Sequence, residues 1–229
     1  MSMPKTKTRR EKVEHREETI IEAAREIFNH RGYRKTTMAE IAKQSGVADG
    51  TVYLYFKNKE DLARAVITDF YRRLTDSAQQ RVDQLSTTKE RVTFLARHHL
   101  SNVMAEFKIL EMLPAINVNM ESYGGSALFD LNKNYVAIFD RIAKDGMQSG
   151  AIKSSLTPWV LRDIFYGSME YGSRTMLLKS RPEDIDDFVD QLVGMVMSSP
   201  KSAKANLDAT IADRLELAAT RIEKATAKL

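Results

Sequence analysis

Apolar residues recur at three- and four-residue spacing along most of the chain, a pattern typical of amphipathic helices. The first such stripe ends at Gly32, where a glycine after the last periodic residue favours a helix stop; it consists of Ile20, Ile21, Ala24, Ile27 and Phe28. A later stripe predicts a long helix that begins near Asn58; it consists of Leu62, Ala65, Val66, Phe70 and Leu74.

Polar residues between these stripes predict where two short helices begin and end. Thr37 with Glu40 three residues later forms a capping box for a helix through about Gln44, and Gly46 breaks that helix. A second short helix is predicted over about 48–55. Asn58 then caps the long helix, whose first turn carries two acids.

The remainder of the chain also predicts helices. Thr87 and Glu90 form a capping box that opens a helix to about Phe107, and another helix is predicted over 126–148. Pro158 at a first helical position opens a helix to about Leu178, and Pro182 opens one to about Met197. Alternating runs rich in Val, Ile and Thr, which would indicate strands, are absent from the sequence. The predicted fold class is therefore all-α.

The stretch 200–229 has a separate pattern. Its apolar residues are spaced by three and four, like the seam of a short coiled coil: Leu207, Ile211, Leu215, Ala218, Ile222, Ala225 and Leu229. We predict an extra amphipathic helix here, either lying on the rest of the protein or self-associating.

Charge is distributed unevenly along the chain. Residues 1–60 contain thirteen Lys/Arg and nine Asp/Glu, so they hold the entire net charge of +4. This asymmetry is expected of a nucleic-acid-binding segment on a neutral body, although a solvated basic tail would also produce it. We predict a DNA-binding domain over 1–60 with a basic tail at 1–13, a ligand-binding and dimerisation domain over 61–199, and the extra helix over 200–229.

Several classes of function are disfavoured by composition. The chain has no cysteine, which excludes disulfides and cysteine-ligated zinc, and adjacent His98 and His99 make a poor metal pair, so we expect no metal site and no cofactor. No nucleophile–base set, phosphate loop or paired carboxylates indicate catalysis. No apolar run approaches a membrane span, and a cytoplasmic protein without membrane contact is expected.

Residues 36–62 carry the most specific functional pattern. Two short helices joined by a glycine-containing turn are typical of a helix-turn-helix, whose second helix enters the major groove of DNA. Val52 and Phe56 are expected to face inward and at least one nearby tyrosine hydroxyl outward. Gly50 is costly in a helix, so either it lets DNA approach the backbone or it packs tightly against a neighbouring helix. The predicted DNA-binding residues are Thr36, Thr37, Ala48, Asp49, Gly50, Thr51, Tyr53, Leu54, Tyr55 and Lys57, with Lys59 as a further phosphate contact.

The run from Gly46 to Leu62, GVADGTVYLYFKNKEDL, resembles the signature of the tetracycline-repressor (TetR) family. The preceding Arg31-Gly32-Tyr33, Thr36-Thr37-Met38 and Ile41-Ala42 resemble it too, and the resemblance covers roughly 17–65. It implies nine helices, a two-fold dimer, and an effector in the body that releases DNA.

The resemblance also implies residue roles. Thr37 and Lys57 are implied to touch phosphates, and Thr51, Tyr53 and Tyr55 to lie at the DNA surface. Many members of the family have serine where this chain has Ala48, so a side-chain cap is lost there. Asp49 either replaces that cap or accepts a hydrogen bond from a cytosine amine, and the sequence leaves both roles open.

Two short phrases are similar to acyl-CoA-responsive repressors of fatty-acid degradation within this family. They are the ADGT–YLYFKNKED phrase of the helix-turn-helix and QSGAIK at 148–153. The similarity implies a long-chain acyl-CoA as inducer. A multidrug-sensing repressor of an efflux pump, a ligand-independent repressor and a small helical enzyme are the alternatives.

The body is rich in side chains suited to an apolar cavity, with methionines that adapt to varied ligands. We predict that the ligand contacts are Met104, Phe107, Tyr123, Phe165, Tyr166, Met169, Glu170 and Arg174. The last two are four residues apart on an otherwise apolar helix, so they either pair with each other or orient a polar ligand head.

A homodimer is expected through the helices at about 158–178 and 182–197. Both have broad apolar faces, and Gly167, Gly172 and Gly194 would allow close helix approach. We expect two-fold packing to place two recognition helices about one DNA turn apart, or a multiple of it.

Overall fold

The computed structural model describes residues 8–116, 125–152, 156–181 and 184–197, and it contains no strand within those ranges. The all-α prediction is confirmed. The residues before 8, Tyr123 and the predicted helix over 200–229 lie outside the described residues. No helix within these ranges combines the length and the apolar character needed to cross a membrane.

Three helices form an N-terminal unit that we call the head: α1 (Arg9–Arg31), α2 (Met38–Ser45) and α3 (Asp49–Tyr55). The predicted capping box forms, because the Thr37 hydroxyl accepts from the Glu40 N–H and the Glu40 carboxylate accepts from the Thr37 N–H. Gly46 ends α2 at φ 70°, in the left-handed region that favours glycine. Packing of apolar faces holds the head together around Ile20, Phe28, Ile41, Val52, Phe56 and Leu62.

The body comprises the remaining helices: α4 (Lys59–Val82), α5 (Thr88–Ala105), α6 (Phe107–Leu110), a 3₁₀ turn (Leu113–Ile116), α7 (Ala127–Ser149), α8 (Pro158–Lys179) and α9 (Ile185–Met197). Asn58 caps α4 and the box of Thr87 with Glu90 caps α5, both as predicted. Helix α5 ends at Ala105, two residues earlier than predicted, and α9 begins at Ile185 rather than near Pro182.

Helices α8 and α9 approach each other closely at Gly172. A Cβ at this position would lie 2.6 Å from the Phe188 ring, so the glycine is required by packing within one chain. Gly167 and Gly194 have open space beside them and leave room for an outside partner.

A half-buried ion cluster joins the head to the body. The Glu106 carboxylate, between α5 and α6, accepts from Arg25 of α1 at 3.1 Å and from two nitrogens of Arg73 of α4, each at 3.1 Å. Asp69 accepts a further bond from Arg73 at 2.8 Å. Burial would lower the pKa of the Arg73 guanidinium, but Glu106 and Asp69 outweigh it and raise that pKa.

Two hydrogen bonds to backbone carbonyls extend this junction. The Asn29 amide donates to the Ala105 carbonyl at 2.8 Å, and Lys108 donates to the His30 carbonyl at 2.7 Å. The C-terminal half of α1 is therefore attached to the segment that includes α6.

Glu106→Gln should lower the free energy of unfolding by about 1–3 kcal/mol, because charge-assisted bonds to two arginines are weakened. Urea unfolding at pH 7 measures this. Glu17→Gln, on the exposed face of α1, is the matched control and should stay within about 0.5 kcal/mol of the parent. Equal stability of the two variants would show that the cluster does not hold the junction.

Candidate DNA-binding surface and effector cavity

Helix α3 presents its predicted outer face to solvent. Val52 and Phe56 are buried in the head, as expected from their four-residue spacing, whereas Tyr53 is 55 % exposed and Leu54 83 % exposed. An exposed leucine beside an exposed tyrosine on a short helix has no role in the core. The surface is suited to apolar contact with a thymine methyl and to a phosphate contact from a tyrosine hydroxyl.

The N-terminal turn of α3 is open. Ala48, Asp49 and Gly50 are exposed, and no atom lies within 4 Å of a Cβ built on Gly50. Tight packing against a neighbouring helix, the alternative explanation for Gly50, is therefore excluded among the described residues. No side-chain hydrogen bond caps α3, so Asp49 does not replace the missing cap.

The predicted phosphate contacts divide into two groups. Thr37 and Lys57 are exposed at the starts of α2 and α4, where helix N-termini favour anions. Thr36 differs from the prediction, because it is buried and its hydroxyl donates to the Gly32 carbonyl at 2.9 Å. Lys59 also differs. Its ammonium donates to the carbonyls of Tyr33 and Thr36, each at 2.9 Å, and lies 4.4 Å from the centroid of the Tyr33 ring.

A cavity of about 960 Å³ lies in the body. Its walls come from α4 to α8 and from the 3₁₀ turn, and they combine apolar side chains with a smaller polar set. The apolar and aromatic lining includes Phe70, Tyr71, Leu74, Val103, Phe107, Leu110, Leu113, Pro114, Phe129, Tyr135, Val136 and Tyr166. The polar lining includes His99, Glu111, Asn132, Lys133, Arg162, Asp163, Glu170 and Arg174.

Four of the predicted ligand residues line this cavity: Phe107, Tyr166, Glu170 and Arg174. Glu170 and Arg174 also pair with each other at 2.7 Å, so both roles that the sequence left open are compatible with the structure. Tyr123 lies outside the described residues.

The other three predicted residues belong to the core instead. Phe165 and Met169 are fully buried, and the Phe165 ring stacks on Phe139 with centroids 4.3 Å apart. Met104 packs against the same core without lining the cavity. Apolar spacing places a residue on the inner face of a helix, but it does not distinguish a packed interior from a cavity wall.

The sequence reasoning missed a group of interior polar side chains. We had interpreted His99 as a structural or surface residue, but it lines the cavity and its Nδ1 lies 3.2 Å from the Tyr135 hydroxyl. Arg162 also lines the cavity and pairs with Asp140 at 3.1 Å. Spacing of four from Arg162 to Tyr166 on α8 was the signal that could have found this wall.

The imidazole of His99 is held in its neutral form. Burial, with a smaller contribution from His98, lowers the pKa of His99 from its ordinary 6.5 to about 3. The cavity wall therefore presents a neutral ring at physiological pH.

Gly50→Ala should leave the fold as stable as the parent or stabilise it by up to about 1 kcal/mol, because alanine favours helix and has room here. The same change should weaken DNA binding, since a methyl group now stands between backbone and groove. Thermal unfolding and fluorescence anisotropy on one DNA fragment measure both effects. Unchanged DNA affinity would remove Gly50 from the interface.

His99 should make the protein less stable in acid. Its folded pKa lies below its unfolded pKa, so the unfolded chain binds the extra proton, and stability present above pH 6.5 is lost as the pH falls towards 3. Between pH 7.5 and 5.0 this loss is about 2 kcal/mol. Urea unfolding at both pH values should show a loss smaller by that amount in His99→Gln. His15→Gln, at an exposed histidine, should keep the full loss.

Two stretches of the chain match known families. Residues 20–66 match bacterial regulatory proteins of the tetR family, and residues 70–199 match the C-terminal region of YsiA-like protein. The fatty acid metabolism regulator protein of Bacillus subtilis (strain 168) is 29% identical over 181 residues, which cover 78% of this chain and 92% of that protein.

Solved structures agree with these matches. The transcriptional regulator FadR from Bacillus subtilis, in complex with stearoyl-CoA, is 28% identical with a TM-score of 0.66, covering 79% of this chain and 97% of that one. The fatty acid degradation regulator FadR from Bacillus halodurans, at 22% identity, shares the fold with a TM-score of 0.67, covering 85% and 97%. The chain, with its helix-turn-helix head and helical body, is a DNA-binding transcriptional regulator of the tetR family.

Proposed function

We propose that this regulator is a homodimeric repressor that binds operator DNA and releases it when a long-chain acyl-CoA enters the body cavity. The observation that carries the proposal is the cavity itself, about 960 Å³ with a mainly apolar lining. A ligand-independent repressor needs no such space. Similarity to a regulator solved with stearoyl-CoA supports the choice of ligand class.

The polar lining of the cavity suits an amphipathic ligand better than a cationic drug. Glu170 is paired with Arg174 and Asp163 with Arg162, so two of the three lining acids are already neutralised by arginines. Lys133 is exposed and forms no ion pair with the described residues, and we assign it to the phosphates of the coenzyme.

The proposed DNA contacts lie on the exposed side of the head. Phosphates are contacted by Thr37, Tyr53, Tyr55 and Lys57, and these contacts set the register without reading sequence. The start and outer face of α3 meet base edges through Ala48, Asp49, Gly50, Thr51 and Leu54. Thr36 supports this surface from within through its bond to the Gly32 carbonyl.

The proposed dimer contact uses the outer faces of α8 and α9. Ile164, Tyr171 and Leu178 are exposed at seven-residue spacing on α8, and Met195 is exposed beside Gly194 on α9. A stripe of large apolar side chains on paired helices is costly in water and suits an isologous contact with a second copy. Two-fold symmetry then presents two heads to one operator.

Effector titrations on DNA upstream of the chain's own gene test the proposal. Acyl-CoAs should lower the anisotropy of the labelled fragment, which is expected to bind two chains per operator. The concentration for half release should fall with acyl length from eight to sixteen carbons, by up to about 15-fold per two methylenes, until the cavity is filled.

Two controls accompany this titration. Scrambled DNA at the same salt should bind more weakly, since only the operator offers base contacts. Free coenzyme A should release little DNA because it lacks the apolar tail. Release by cationic dyes but not by acyl-CoAs would replace the proposal with a multidrug regulator.

A further inference from the structure

Two buried polar atoms near the cavity wall lack hydrogen-bond partners among the residues that the structure describes. They are the Tyr166 hydroxyl oxygen and the Asp140 Oδ1 atom. Buried polar groups are nearly always hydrogen-bonded, so an unpartnered hydroxyl on a residue that lines a cavity indicates a missing partner.

The Tyr166 ring cannot easily turn its hydroxyl elsewhere. It contacts the rings of Phe165 and His99, each with centroids 5.2 Å away, and of Tyr135 and Phe139 at 5.7 and 6.0 Å. Aromatic contacts of this kind fix ring orientation. The Tyr135 hydroxyl is close, but it bonds His99 and forms no hydrogen bond of acceptable geometry with Tyr166.

The chemistry around the hydroxyl defines what it can bind. Burial and the Asp140 carboxylate raise the pKa of Tyr166, so the group keeps its proton and acts as a donor. The Asp140 charge disfavours an anionic acceptor beside it. Arg162 is engaged by Asp140 and Asp163, and His99 is neutral. A neutral oxygen such as a carbonyl is the acceptor that fits.

Resting on the proposed function, we infer that the Tyr166 hydroxyl donates a hydrogen bond to the thioester carbonyl of the bound acyl-CoA. The apolar walls supply affinity for the chain, which any long alkyl group would satisfy. Tyr166 supplies discrimination, because a ligand without the carbonyl leaves its hydroxyl unpaired.

Palmitoyl-CoA and its thioether analogue S-hexadecyl-CoA differ in the carbonyl oxygen and therefore test this bond. Isothermal titration should show that the parent protein binds the thioester about three- to tenfold more tightly, the value of one hydrogen bond. Tyr166→Phe should bind both ligands equally. Tyr171→Phe, an exposed tyrosine on the same helix, is the matched control and should keep the preference.

Stability without ligand gives a second readout. Tyr166→Phe removes a hydroxyl that has no partner, so the thermal midpoint should stay the same or rise. A lower midpoint would show that the hydroxyl is bonded within the fold and would overturn the inference.

The binding outcomes separate the two proposals. A parent protein that binds thioester and thioether equally, or a Tyr166→Phe variant that keeps the preference, would overturn the hydrogen bond and leave the effector class standing. A folded parent protein that binds neither ligand would overturn the effector class and the bond with it.

Discussion

The position of the head relative to the body depends on one carboxylate. Glu106 lies between Arg25 of α1 and Arg73 of α4, and it is the residue at which α5 ends and α6 begins. A mostly buried carboxylate is unfavourable without partners, whereas two guanidinium groups satisfy both of its oxygens. Any displacement of α6 therefore either carries α1 along or separates these charges.

This constraint gives a physical route from the cavity to DNA. Phe107 and Leu110 of α6 line the cavity, while Ile109 of the same helix is buried in the core that it shares with the head. A four-residue helix with one face on a ligand and the other on the DNA-binding unit has few ways to move. Ligand that favours one position of α6 must shift the heads, and by linkage DNA must oppose that ligand equally.

Local chemistry made the head predictable from sequence. The capping box at Thr37, the left-handed Gly46 and the inward spacing of Val52 and Phe56 are each decided by a few neighbouring residues. The body was predictable only as a set of helices. Whether Phe165 fills a core or lines a cavity depends on residues far away in sequence, and the neutral state of His99 depends on burial that adjacency cannot show. Lys59 was misassigned for the same reason, because its partners lie on the loop before α2.

The places where local rules are broken coincide with the places where a partner is proposed. Helix α3 has no side-chain cap, a glycine in its first turn and an exposed leucine, all of which weaken an isolated helix. The cavity wall has an unpaired hydroxyl that packing alone would have replaced with phenylalanine. A fold optimised only for stability would remove both features. Their presence on two separate surfaces, joined through Glu106, is what a regulator needs if one partner is to control its affinity for another.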